Sequence, residues 1–249
     1  AKIVAILMKQ QCEIESLFGI DQVPGRGLPT ILLPTTAGTG SEVTPIAVLS
    51  DEAQHLKRGV VSEHLGRWHA AGYPRLCGTL PPWPTADTGI DALTHAIEAI
   101  TSVNAVPLVD ALALEAIRLI AAHLPRAVEN GSDLDARYAM SQASTLGGMC
   151  LGPVNTAAVH AMAYPLGGRF NVPHGVANSL LLPHVMKFNL PACPHRYRMI
   201  AKAMGAEDGD AVRAVGELTV RVGTDKRMRE FGVTEADLPA MAADALKVT

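Results

Sequence analysis

The chain has 249 residues, 48% hydrophobic and 18% charged, with a formal net charge of −3. That is enough apolar material for one large or two ordinary globular domains, and the near-neutral balance excludes the basic surface that nucleic acid or an anionic membrane would need. No apolar run is long enough to span a bilayer, and Cys12, Cys77, Cys150 and Cys193 form no CxxC pair, which points to reduced thiols and a cytoplasmic setting.

Taken in order, residues 1–18 predict a helix through Ile3, Val4, Leu7, Ile14, Leu17 and Phe18. The chain opens without an initiator Met, on residues that read as the inside of that helix. A loop runs from Gly19 to Gly27, then Thr30 to Pro34 reads as a short buried strand. Thr35-Thr36-Ala37-Gly38-Thr39-Gly40-Ser41-Glu42 is dense in hydroxyls and glycines. Such a segment suits a phosphate, a ribose or a nicotinamide amide. On residue types alone, a plain strand-to-helix connection capped by Ser41 is favoured at about two to one. Val43 to Leu49 is strand-like, Ser50-Asp51-Glu52 reads as a turn, and Lys57 and Arg58 read as solvated charges or as phosphate contacts. Residues 63–82 show no clear period. Pro81-Pro82-Trp83-Pro84 marks a boundary, with Thr85 or Asp87 as the cap of the next helix.

Beyond it the pattern is helical: 88–102, 107–123, 133–151, 155–168 with an interruption at Pro165-Leu166-Gly167-Gly168, 174–187, 194–204, 210–222 and 235–247. Thr234 and Asp237 form the capping pair of the last. The fold class expected is an α/β piece over 1–82 followed by an all-helical domain over 83–249.

Asp91 and His95 stand four residues apart, which places a carboxylate and an imidazole on one helical face. His160 lies in an apolar, small-residue helix, and His174 between Pro173 and Gly175. One carboxylate with three imidazoles suits Fe²⁺, Zn²⁺, Co²⁺ or Ni²⁺. Each residue alone is a weak signal, since a lone helical His is usually a surface or core residue and Asp91 also fits as an ordinary first-turn carboxylate. His55, His64, His69, His123, His184 and His195 read as such bystanders.

Three stretches carry a resemblance: Thr35 to Thr44, Thr88-Gly89-Ile90-Asp91-Ala92-Leu93-Thr94-His95-Ala96-Ile97-Glu98, and His160 through Pro173-His174-Gly175-Val176-Ala177-Asn178. Together they resemble the iron-containing (group III) alcohol dehydrogenase family, of dehydroquinate synthase-like fold. The resemblance implies a dinucleotide-binding α/β domain, a helical metal-binding domain and a site between them. It implies metal ligation by Asp91, His95, His160 and His174, nicotinamide and ribose contacts at Thr35, Thr36, Gly38 and Thr39, and a basic contact at Lys57. It further implies NAD or NADP as cofactor, a small alcohol or aldehyde as substrate, and a homodimer. The family's Gly-Gly-Gly-Ser nucleotide loop and its last helices lie outside this sequence, so an internal fragment is expected, with a metal-binding remnant lacking dehydrogenase activity as the alternative. Tyr164 stands where many relatives carry a second histidine, which makes it the candidate catalytic group, and residues 66–79 depart from the pattern, with Tyr73-Pro74 in place of an Asp-Pro pair.

Overall fold

The computed structural model describes residues 1–51, 56–66 and 69–247; the side chains at 50, 51, 56 and 57 fall outside the description. His55, Trp68 and the Lys57 side chain therefore lie outside the described residues.

The N-terminal apolar pattern does not make one helix over 1–18. Helix α1 (Lys2–Gln10) stops where Gln11 turns left-handed at φ 50°, with its N–H returned to the Leu7 carbonyl, as in an αL cap. Ile14–Leu17 then form a separate 3₁₀ turn. Ile3, Ile6 and Leu17 nevertheless share one small core with Val23, Val60 and Leu65. Around it run β1 (Gly19–Ile20), β2 (Ile31–Leu32), β3 (Ile46–Asp51), β4 (Leu56–Val61) and β5 (His69–Ala70). Strand β4 lies between β1, parallel to it, and β3, antiparallel, while among the described residues β2 pairs only with β5, in parallel.

Two expectations fail here. Residues 50 and 51 continue β3 instead of turning. The strand at 30–34 is two residues long and open, with Ile31 69% and Leu33 51% exposed. β-Branched composition favours an extended chain, but burial needs a layer packed on each face, and among the described residues β2 has a neighbour on one edge only.

The larger core belongs to the helices. Helix α2 (Pro82–Thr101) contacts α3 (Pro107–Glu129), α4 (Leu134–Val154), α5 (Ala158–Phe170), α6 (His174–Asn189) and α7 (Pro194–Ala203). It starts earlier than expected, with Pro81 as the N-cap position and Thr85 and Asp87 already helical. Prolines are tolerated in a first turn because its amides lack intrahelical acceptors. Buried Arg137 of α4 secures this start by donating to Thr85 Oγ1 at 2.7 Å, the Leu80 carbonyl at 2.8 Å and the Gly131 carbonyl at 3.1 Å. Helix α5 runs through Pro165 and the two glycines without the expected interruption, because Pro165 lies two turns inside a helix held by tertiary packing. Helix α8 spans Ala211–Arg221. The last helical stretch is a 3₁₀ turn, Glu235–Asp237, with the expected Thr234–Asp237 capping pair, followed by α9 (Leu238–Ala245). All four cysteines are free. Among the described residues no helix is long and apolar enough to cross a membrane.

The hydroxyl- and glycine-rich segment joins β2 to β3 with no helix after it, so Ser41 caps none; its N–H instead meets Thr39 Oγ1 at 3.2 Å. Its glycines are used for close approach. A Cβ on Gly38 would lie 2.6 Å from Thr88 Cβ, and one on Gly148 of α4 would lie 2.7 Å from the Gly40 carbonyl oxygen. Glu42 accepts from Thr145 Oγ1 at 3.2 Å. The segment is thus pinned to α2 and α4. Gly148→Ala is expected to overpack this contact, at about 1–3 kcal/mol and about 2–12 °C in Tm; thermal melts followed by circular dichroism check it.

Candidate metal centre

The same helix that organises the core carries the polar residues of the site. Spacing of four and three residues along α2 puts Asp91, His95 and Glu98 in one stripe. All three are buried. Helices α5 and α6 add His160 and His174 from the facing side.

Asp91 Oδ1 lies 3.5 Å from His160 Nε2, 3.6 Å from His174 Nε2 and 3.8 Å from His95 Nε2. Tetrahedral donors around one ion at about 2.1 Å are about 3.4 Å apart, so these separations suit a shared cation. The donor atoms of Asp91, His160 and His174 all lie within 4.8 Å of one another. His95 is not part of that triple. It joins through Asp91 and stacks on His160, ring centroids 4.6 Å apart. Asp91 Oδ1, His160 Nε2 and His174 Nε2 also face the Asn178 amide, whose Nδ2 lies 2.7, 3.3 and 3.4 Å from them; lone pairs converging in a buried site need such a donor, a proton or a cation.

Electrostatics match. Burial would raise the Asp91 carboxyl, but His95, then His160 and His174, hold it below the usual carboxylate range. Burial pushes the His95 imidazole down to about 4, against the pull of Asp91, so it stays neutral with a lone pair to offer. For His160 burial acts downward too, but Asp91 and Glu98 outweigh it and raise the group to about 9. A metal would displace that proton.

Three residues that sequence reasoning did not assign to the site complete the surroundings. Glu98 Oε2 lies 2.6 Å from His160 Nδ1, which fixes the ring and turns Nε2 inward. The same carboxylate accepts the Ala157 and Val159 amides at 2.8 and 2.6 Å, closing the start of α5. Asn178, fully buried one turn after His174, donates to Asp91 Oδ1 at 2.7 Å. Asp87, one turn before Asp91, packs closely against Gly175 of α6, and burial, then Asp91, pushes its carboxyl up to about 6. Glu98 and Asn178 were findable as the next residues along the Asp91 and His174 helical faces; the Asp87 contact has no sequence signal.

The site opens on one side. The Asp91, His95 and His160 side chains are at most 5% exposed, whereas His174 is 46% exposed. Tyr164, one turn after His160, stands beside it with ring centroids 6.5 Å apart. Burial, then the Asp91 charge, raises its phenol, which therefore remains a hydrogen-bond donor. Along the β2–β3 segment Thr35 and Thr39 are exposed, Thr36 half-buried and Gly38 buried against Thr88, three residues before Asp91. Arg58 stacks its guanidinium 3.9 Å over the Phe18 ring, so it is not a simply solvated charge.

Known proteins resemble this chain in sequence and in fold. The profile described as Fe-containing alcohol dehydrogenase family, C-terminal, matches residues 85–249, and that described as iron-containing alcohol dehydrogenase matches residues 1–66. Residues 67–84 lie outside both matches. The chain is 43% identical to long-chain-alcohol dehydrogenase 1 of Geobacillus thermodenitrificans, over 99% of this chain and 65% of that protein. A crystal structure of 1,3-propanediol oxidoreductase superposes with a TM-score of 0.94 at 41% identity, covering 99% of this chain and 67% of that one. The sulfoacetaldehyde reductase of Bifidobacterium kashiwanohense, in complex with NAD⁺, gives a TM-score of 0.89 at 32% identity, covering 98% and 65%. The chain thus spans about two thirds of the length of the relatives it matches.

Proposed function

The chain belongs to the iron-containing alcohol dehydrogenase family, and from that footing we propose that it serves metal-dependent hydride transfer between an alcohol, or the matching aldehyde or ketone, and NAD or NADP. The observation that carries this reading is the Asp91 oxygen standing 3.5–3.8 Å from three imidazole nitrogens, two of them buried and the third, on His174, half-exposed. Asp91, His95, His160 and His174 would hold the cation, iron by family and Zn²⁺, Co²⁺ or Ni²⁺ equally by donor chemistry. When bound, such an ion supplies a Lewis acid for a substrate oxygen.

The chain's own residues then have assignable tasks. Glu98 and Asn178 orient His160 and Asp91. Tyr164 directs its protonated phenol at the open side, where it donates to a substrate oxygen and does not act as a base near neutral pH. Thr35, Thr36, Gly38 and Thr39 offer hydroxyls and close backbone to a nicotinamide and ribose, with Lys57 as the basic contact. Residues 1–82 form the cofactor side and 83–249 the metal side. Small alcohols or aldehydes as substrates, a homodimer and a cytoplasmic setting belong to the same proposal.

A second reading, a metal-binding unit without dehydrogenase activity of its own, is favoured by one observation: the exposed Ile31 and Leu33 on a sheet of two short strands. Calorimetric titration of the metal-loaded chain with NAD⁺ and NADP⁺ separates the two, followed by turnover with primary alcohols read at the nicotinamide absorbance. The first reading expects binding and turnover, lost on chelation and restored by Fe²⁺. Metal uptake without nucleotide binding would overturn it in favour of the second.

A further inference from the structure

Residues 35–44 present two faces. Thr35, Thr39 and Ser41 are exposed, whereas Gly38, Gly40, Glu42 and Thr44 are buried. Glu42 is the one ionisable side chain of the stretch, and it is only 5% exposed. A buried carboxylate is costly unless it accepts a hydrogen bond. Glu42 Oε1 does so from Thr145 Oγ1 of α4 at 3.2 Å, across 103 residues of chain. Thr145 Oγ1 also lies 3.0 Å from the Ser141 carbonyl, so its single hydrogen is shared between that helical carbonyl and the carboxylate. Glu42 sits inside a tight turn, closed by the Val43 amide donating to the Gly40 carbonyl at 2.9 Å. The Ser41 amide of the same turn donates to Thr39 Oγ1 at 3.2 Å. One buried side chain thus ties to α4 the turn that orients an exposed hydroxyl.

We propose that Glu42 is a positioning residue for the nucleotide: its hydrogen bond to Thr145 anchors the turn and so sets the direction in which Thr39 offers its hydroxyl. The inference rests on the reading of Thr35, Thr36, Gly38 and Thr39 as nicotinamide and ribose contacts. The anchor needs an acceptor at position 42 and a donor at 145. Helix α4 carries none of the four proposed metal donors, so metal binding does not depend on the anchor.

The test uses the full 249-residue chain, Co²⁺ titration followed by visible absorption, and calorimetric titration of the Co²⁺-loaded chain with NAD⁺. Glu42→Ala is expected to weaken NAD⁺ binding about tenfold, the worth of one hydrogen bond to a charged group, with Co²⁺ affinity unchanged. Glu42→Gln keeps an acceptor and is expected to restore NAD⁺ binding. Thr145→Val keeps the shape and removes the donor. It is expected to match Glu42→Ala, and carries the test alone should Glu42→Ala not fold. In the double variant the loss is expected to equal that of either single one, since both remove the same interaction. Wild-type NAD⁺ affinity in Glu42→Ala and Thr145→Val overturns the anchor alone. Loss in Glu42→Gln equal to that in Glu42→Ala, or a parallel loss of Co²⁺ affinity, overturns it as well. A wild-type chain that takes up Co²⁺ but no NAD⁺ overturns the cofactor reading beneath the anchor, and the anchor with it.

Discussion

Replacing Asp91 by alanine is expected to lower affinity for a divalent cation by on the order of a hundredfold or more. A complete four-ligand site is worth about 10–16 kcal/mol, so one ligand carries roughly 2.5–4 kcal/mol. Asp91 is the only anionic donor of the set and the one whose oxygen faces all three imidazoles. Without it the site keeps only imidazole donors, and Asn178 loses the acceptor of its 2.7 Å hydrogen bond. Metal content by elemental analysis after gel filtration, together with a Co²⁺ titration, reads the effect. Unchanged stoichiometry and affinity would remove Asp91 from the ligand set.

The second large effect concerns Glu98, and it is expected without metal. This carboxylate accepts from the His160 ring and from the Ala157 and Val159 amides, all in a buried position. Glu98→Ala leaves those donors unpaired, and breaking a buried pair in this way costs about 3–5 kcal/mol. That corresponds to a fall of about 6–20 °C in Tm. The sign with pH is fixed. Burial would raise the Glu98 carboxyl, but the His160 hydrogen bond and charge and the two amides outweigh burial and depress it. Its contribution is therefore full above the unfolded carboxylate value of about 4.3, and it is lost as pH falls through the depressed folded value. Differential scanning calorimetry at neutral and acid pH tests both parts. A Glu98→Ala melt close to wild type at neutral pH would refute them.

The helical half was legible because its apolar residues recur at helical spacing over long stretches, and the positions of α2 to α8 matched that pattern to within a few residues, apart from the early start of α2 and the late end of α3. Asp91 and His95 were visible as a pair because four-residue spacing is itself a geometric statement. Other features depend on contacts across many residues. Nothing near Gln11 says that the first helix must stop there. The exposure of Ile31 is set by which strands pair with β2, not by its own sequence. Asp87 looked like a cap for its own helix and proved to lie inside it, packed against Gly175 at the start of α6. The glycines of Thr35 to Glu42 suggested room for a ligand, whereas Gly38 and Gly40 are used by Thr88 and Gly148; the exposed Thr35 and Thr39 remain the groups that face outward.

The central claim is that Asp91, His95, His160 and His174 hold one divalent cation. X-ray absorption of the Co²⁺-loaded chain tests it most directly. The expected result is one ion per chain, with the multiple-scattering pattern of three imidazoles and one oxygen donor from Asp91, all at about 2.0–2.2 Å. An ion with no imidazole scattering, or a chain that takes up no ion at all, would contradict it.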